Sequence, residues 1–397
     1  MCNNLMSKWE MVRLGDVCEI VSGTTPSTQR PELWDGGVKW VTPAEISDDS
    51  YFIYDTERHI SEKAGLKPMP AGTVLLSSRA PIGKIAIAAE SMCCNQGFKN
   101  LVCSNNIHNR YLYRYLKNQT VYLNSLGRGA TFKEISKPIV ENIYIPLPPL
   151  PVQQKIADVL DSANTLVERR KAQIEKLDLL VKSQFIVMFG DPVTNPMGWE
   201  VKKLDDVYEI IDGDRGDNYP KHEDFSESGH CLFLNAGNVT KRGFNFTNRQ
   251  FVSEIKDNAL RKGKLQRYDI VLTTRGTVGN LAYYNDSVPY LQIRINSGMV
   301  ILRKRIEIVA EYFLEFFSNP QLYLRLMSGT AQPQMPISSM RMANIIVPPL
   351  ALQTQFAAFV ERVEAHKAKM KQGLALLELE YKSLMQKCFN GELLCVS

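Results

Sequence analysis

Two short runs carry the residues best suited to chemistry: Ser77, Ser78, Arg79, Gly83 and Lys84 within VLLSSRAPIGKIA (74–86), and Thr273, Thr274, Arg275, Gly276, Thr277 and Gly279 within IVLTTRGTVGNLA (270–282). In each, an apolar strand delivers two hydroxyls and a guanidinium to a turn that glycine permits. A guanidinium fork fits phosphate oxygens and the O6/N7 edge of guanine alike, and hydroxyls suit phosphate. The pattern equally suits an arginine paired to a carboxylate beneath a hairpin. A second loop pair, Gly127 to Lys133 and Gly329 to Gln334, keeps its glycine and its Ile-Ser exit but exchanges Arg128, Thr131 and Lys133 for Gln332 and Gln334. A shared frame with different polar residues is what two domains reading different sequences would need, although ordinary loop drift gives the same pattern.

Charge supports the same chemistry. The net charge of +5 is mild, but residues 238–305 hold 13 Lys and Arg against four acids, and residues 91–137 hold seven against Glu134 alone. Such clustering is the footprint of a nucleic-acid surface, and adds Lys99 and Arg303 to the candidates.

Reactive constellations are missing. The Gly263-Lys264 pair has Asn258 where a phosphate-binding loop needs its first glycine. Both Pro-Pro pairs follow Leu147 or Val347, so no [DN]PP[YF] stretch exists, and FxGxG, HExxH and GxSxG are absent as well. Glu254-Ile255-Lys256 lacks the preceding Pro-Asp of a metal-dependent nuclease. The eight cysteines form no CxxC pair, and His222, His230 and Cys231 have no second ligand pair, so neither a disulfide framework nor a metal site is expected. No apolar run reaches membrane-spanning length and the N-terminus has no signal-like stretch, which predicts a cytoplasmic protein.

These runs belong to a tandem repeat. WEMVRLGDVCEIVSG (9–23) matches WEVKKLDDVYEIIDG (199–213), the arginine turns match at an offset of 196, and IPLPPLPVQQ (145–154) matches IIVPPLALQT (345–354) at 200. After each Pro-Pro, apolar residues recur at period 3.5. They are Ile156, Leu160, Ala163, Val167, Ile174, Leu177, Val181 and Met188 in the first copy, with Arg170 and Gln184 as interruptions. In the second they are Phe356, Val360, Val363, Met370, Leu374, Leu377, Tyr381, Leu384 and Cys388, interrupted by Lys367. That is a coiled-coil seam, and each helix over 152–188 or 352–388 would be about 55 Å long. Proline cannot lie inside a helix, so the Pro-Pro pairs fix where each begins.

The expected fold class is therefore α+β: two similar mixed α/β globular domains separated by two long antiparallel helices forming a coiled coil, with pseudo-twofold symmetry. The expected limits are 1–150 for the first domain, 151–190 for the first helix, 191–350 for the second domain and 351–397 for the second helix.

With IPLPPLPVQQKIADVLD (145–161), IIVPPLALQTQFAAFVE (345–361) and the repeated WExxxLxDV starts in place, the sequence resembles the specificity subunit of type I restriction-modification enzymes. It departs only where the usual glutamate before the glutamine is Val152 or Leu352. The resemblance implies a non-catalytic DNA-binding chain with two target recognition domains, each reading half of a split site. It also implies helices that set the distance between the halves and dock two modification subunits. Those subunits would bind S-adenosylmethionine and methylate adenine, and restriction subunits would use ATP. The rival readings are a protein-assembly scaffold without DNA readout, and a solitary nuclease, which would need metal-dependent cleavage by the isolated chain.

Overall fold

The computed structural model describes residues 8–79, 81–129, 133–329 and 333–393; the candidates Thr131 and Gln332 lie outside them. The chain forms two compact units, Met1–Lys171 with Gln372–Ser397, and Ala172–Lys371. Their limits fall in mid-helix rather than at the helix starts: each unit takes half of each long helix.

The first unit opens by pairing Met11–Arg13 antiparallel with Tyr144–Pro146, closing its globular part on itself. Its main sheet runs in the order Cys18–Ser22, Lys99–Cys103, Val74–Leu76, Ile85–Ala88, Phe52–Ile53, and its second sheet in the order Arg58–Ile60, Trp34–Val41, Cys93–Cys94. Val74–Leu76 and Ile85–Ala88 are buried on both faces, so they are runs of apolar residues rather than alternations. The second unit repeats this plan. Glu200–Lys203 pairs with Asn344–Val347, and the main sheet is Tyr208–Asp212, Met299–Lys304, Ile270–Thr273, Leu281–Tyr283. The small sheet is Phe251–Val252, Cys231–Phe233, Ile293–Arg294.

The two long helices span Leu150–Phe189 and Leu350–Asn390. A buried glutamine ties each to its own globular part. Gln153 accepts from the His108 amide (2.8 Å) and donates to the Asn106 (2.9 Å) and Pro148 (2.8 Å) carbonyls. Gln353 accepts from the Val309 amide (2.9 Å) and donates to the Pro348 carbonyl (2.8 Å). In each copy the Val152 or Leu352 amide donates instead to the Pro149 or Pro349 carbonyl, which leaves the Pro148 or Pro348 carbonyl to the glutamine side chain.

Within the first unit, Ile156 and Leu160 share one core with Met385, Cys388 and Phe389, with Tyr381 and Leu384 packed against it. Lys171 pairs with Glu378 at 3.7 Å. Within the second, Val181, Phe185, Phe189, Phe356 and Val363 share a core, flanked by Leu177 and Val360, and Lys367 reaches Asp178. Val167 is buried, while Ile174, Met370, Leu374 and Leu377 are half-buried. The expected register slips at one end. Beyond Val181 the buried positions are Phe185 and Phe189, with Gln184 and Met188 only half-covered, because that end packs on Tyr312 of the globular part as well as on Phe356.

Candidate nucleic-acid interface

The arginine turns form as the strand pattern predicts, but their hydroxyls face inward. Ser77 Oγ donates to the Pro81 carbonyl (2.8 Å) and accepts from the Lys84 amide (2.8 Å), and Ser78 Oγ donates to the Gly97 carbonyl (3.1 Å). Thr273 Oγ1 donates to the Thr277 carbonyl and Thr274 Oγ1 to the Gly298 carbonyl (3.0 Å). All four residues are buried. The expectation that Ser77, Ser78, Thr273 and Thr274 meet a ligand is thus corrected: a buried hydroxyl must find a partner, and these found theirs in the backbone that closes the turn. Gly83 (φ +86°) and Gly279 (φ +93°) supply the left-handed residues that closure needs.

Three basic candidates are also engaged inside the fold. Lys99 is buried, with Nζ 3.2 Å from Glu134 Oε1. Arg303 forks onto buried Asp269 at 3.0 and 2.8 Å. Half-buried Lys84 donates to the Pro43 carbonyl at 3.0 Å. Within the basic run 91–137, Arg110 and Arg114 pair with Asp161, Lys137 lies 3.8 Å from Glu141 at the surface, and Lys117 donates to the Asp48 carbonyl.

What remains exposed is brought together. In the first unit the Arg128 and Glu134 amides and carbonyls exchange hydrogen bonds at 3.0 and 2.9 Å, Arg79 bridges to Glu134, and the Ile135 amide donates to the Ser78 carbonyl at 2.9 Å. In the second, Ser328 and Gln334 exchange bonds at 2.8 and 3.0 Å, Arg275 bridges to Gln334, and the Met335 amide donates to the Thr274 carbonyl at 2.9 Å. Each unit therefore stitches its arginine turn to its second loop. The result is a separate exposed surface on each unit, with Arg79, Arg128 and Lys133 on the first and Arg275, Thr277 and Gln334 on the second.

The two surfaces differ at one decisive position. Arg79 Nε lies 3.0 Å from Glu134 Oε2, the carboxylate pairing that was the alternative sequence reading; in the second unit Gln334 replaces that acid and leaves the Arg275 guanidinium without it. Burial works against the charged Glu134 carboxylate, but hydrogen bonds from Lys99 and Arg79 outweigh it and hold the group below the usual glutamate range. A depressed carboxylate stabilises fully above its unfolded pKa of about 4.3, and the contribution is lost as pH falls through the folded value. Glu134→Gln should therefore lower the thermal midpoint at pH 7 and flatten its fall between pH 5 and 3, read by a series of thermal melts. An unchanged acid limb would show that Glu134 carries no such linkage.

Sequence reasoning missed Gln153 and Gln353, whose signal is their recurrence after each Pro-Pro. It also missed Asp161, which gathers Arg110, Arg114 and Tyr51. Among the described residues no cluster of His, Cys, Asp and Glu could hold a metal ion, and His230 instead lies 3.5 Å from Asp257. Among them, too, no helix is long and apolar enough to cross a membrane.

The family model for the type I restriction modification DNA specificity domain matches twice, at residues 6–176 and 196–379. The chain is 31% identical to the type I restriction enzyme MjaIX specificity subunit of Methanocaldococcus jannaschii, covering 97% of this chain and 93% of that one. Its fold resembles a chain from a solved structure on complex assembly and conformational transition of the type I R-M system (TM-score 0.65, 20% identity, 97% and 98% covered). It also resembles the S subunit of a type I restriction-modification system from M. genitalium (TM-score 0.55, 16% identity, 98% of both chains covered). One family model matched on both copies of the fold, and a relative 31% identical along nearly its whole length, show that this chain belongs to the family of type I restriction enzyme specificity subunits.

Proposed function

We propose that the chain directs a type I complex to a split DNA site, each globular domain reading one half. The observation that carries this is the repeated surface: the same two loops are joined in each unit, yet present Arg79, Arg128 and Lys133 in one and Arg275, Thr277 and Gln334 in the other. An arginine forks onto guanine O6/N7 and a glutamine onto adenine N6/N7, so the two sets suit different bases. Thr131 and Gln332, in the same loops, join these sets.

The long helices serve as an antiparallel coiled-coil spacer between the two domains and as the dock for two modification subunits. Exposed Leu166, Leu376 and Leu379 in the first unit, and Leu179, Leu180 and Val187 in the second, support the docking role, since large apolar side chains in water on a long helix favour a covering partner. The modification subunits would bring S-adenosylmethionine and adenine methylation, and the restriction subunits ATP-driven work, in the cytoplasm; this chain supplies recognition and no catalysis. A gel shift with modification subunits present, at about 0.15 M salt, should show retention of cognate over scrambled DNA. Equal retention of both would favour the assembly scaffold.

A further inference from the structure

The main sheets of the two units differ at one edge. A segment that begins with a capped turn, Thr42 to Glu45 in the first unit and Asn235 to Asn238 in the second, runs on at a constant offset of 193 to the strands Arg58–Ile60 and Phe251–Val252. Over this matched stretch the charge is reversed. Residues 44–57 hold Glu45, Asp48, Asp49, Asp55 and Glu57 and no base, whereas residues 237–250 hold Lys241, Arg242 and Arg249 and no acid.

The two copies of the segment are also built differently. In the first unit it lies on the helices: the Asp48 carbonyl accepts from Lys117 (2.7 Å), the Ser50 carbonyl from Tyr113 (2.9 Å), and Tyr51 donates to Asp161 (2.8 Å). In the second it folds on itself. Val239–Thr240 pairs antiparallel with Gly243–Phe244, so Lys241 and Arg242 are the two central residues of a tight turn, which Gly243 closes at φ +92°. Both side chains are exposed. The hairpin has a rigid base: Phe244 stacks on Phe246 (5.4 Å), Phe246 meets Tyr290 edge-on (4.9 Å), and Arg249 reaches the Tyr290 hydroxyl (3.3 Å). Its root is joined to the arginine turn, where Asn280 donates to the Val239 carbonyl at 3.0 Å.

We propose that residues 237–250 form a phosphate-binding arm of the second recognition domain that the first domain lacks, so that the second half-site carries the larger share of the salt-dependent binding. The inference rests on the DNA-reading function proposed above and goes beyond it by making the two halves electrostatically unequal. Two cations on a preorganised turn beside the reading surface suit a polyanion, and five carboxylates at the matched place repel one. Phosphate contacts position a domain without choosing its bases.

The test uses the specificity chain assembled with its modification subunits. Affinity for the cognate site is measured across salt concentrations for the unsubstituted complex, for Lys241→Gln with Arg242→Gln, and for Lys63→Gln with Lys67→Gln, which removes two exposed charges from the first domain. The arm variant should flatten the plot of log affinity against log salt by about 1.8, roughly 0.9 for each lost phosphate contact, with both half-site preferences kept; the Lys63/Lys67 variant should leave the slope unchanged. An unchanged slope in an arm variant that still discriminates its site, or an equal flattening in the control, overturns the arm while the DNA-reading function stands. Failure of the unsubstituted complex to discriminate cognate from scrambled DNA overturns both.

Discussion

Arg294→Met should destabilise the second domain by about 3–5 kcal/mol, the loss seen when one partner of a buried ion pair is removed. Asp257 is fully buried, with Arg294 Nε on one carboxylate oxygen and Lys264 on the other. Burial alone would push this carboxyl up, but Lys264 and Arg294 hold it below the usual aspartate range. Arg294 also donates to the backbone carbonyls of Asp257 (2.7 Å), Leu260 (3.1 Å) and Lys262 (2.7 Å). It therefore pins the helix Glu254–Ala259 and the loop after it onto the small sheet. Methionine fills the space but leaves a buried anion with the half-exposed Lys264 and with His230 at 3.5 Å, and three carbonyls without their donor. Because a domain is stable by only about 5–15 kcal/mol, urea unfolding should show a clearly lower midpoint. Adding Asp257→Leu should recover part of the loss but not all, since the carbonyls stay unpaired. A cost for Arg294→Met below about 1 kcal/mol would mean that water replaces the guanidinium and the cluster is not closed.

Removing one heptad from each long helix, Glu168–Ile174 and Lys369–Ala375, should change which gap the complex accepts and leave both half-site sequences as they were. Seven residues shorten a helix by about 10.5 Å, close to three base pairs, and a deletion of seven keeps the apolar seam in register. The original site can then satisfy only one domain at a time. A mismatched base pair costs about 1–3 kcal/mol, so losing a half-site of a few bases should weaken binding by more than about 100-fold. Three base pairs also rotate the groove by roughly 100°, so a site with a shorter gap should regain only part of the affinity. Competition binding against a series of gap lengths reads this out. A change in the half-site bases would refute the spacer role of the helices.

The duplication was legible because its offsets of 190, 196 and 200 stay constant over whole elements, and the helices because a period of 3.5 is a local property. Contacts that decide the surface are not local. Glu134 lies 55 residues from Arg79, so no window on the sequence reveals that it neutralises Arg79 and Lys99, or that Gln334 withdraws that acid from the second copy. The basic run 91–137 looked strongly positive because Asp161, which takes up Arg110 and Arg114, stands outside it on the long helix. Hydroxyls at a strand end read the same whether they face water or close a turn, and Ser77, Ser78, Thr273 and Thr274 close theirs. The slip at Phe185 and Phe189 has a similar origin: the last turns of the helix answer to Tyr312 in the globular part, not to a heptad alone.

Selection from random-sequence DNA by the assembled complex, at about 0.15 M salt, tests the central claim most directly. Two short fixed blocks separated by a constant run of unspecified bases are predicted, one block for each stitched surface. A single continuous block, or no enrichment over the starting pool, would contradict it.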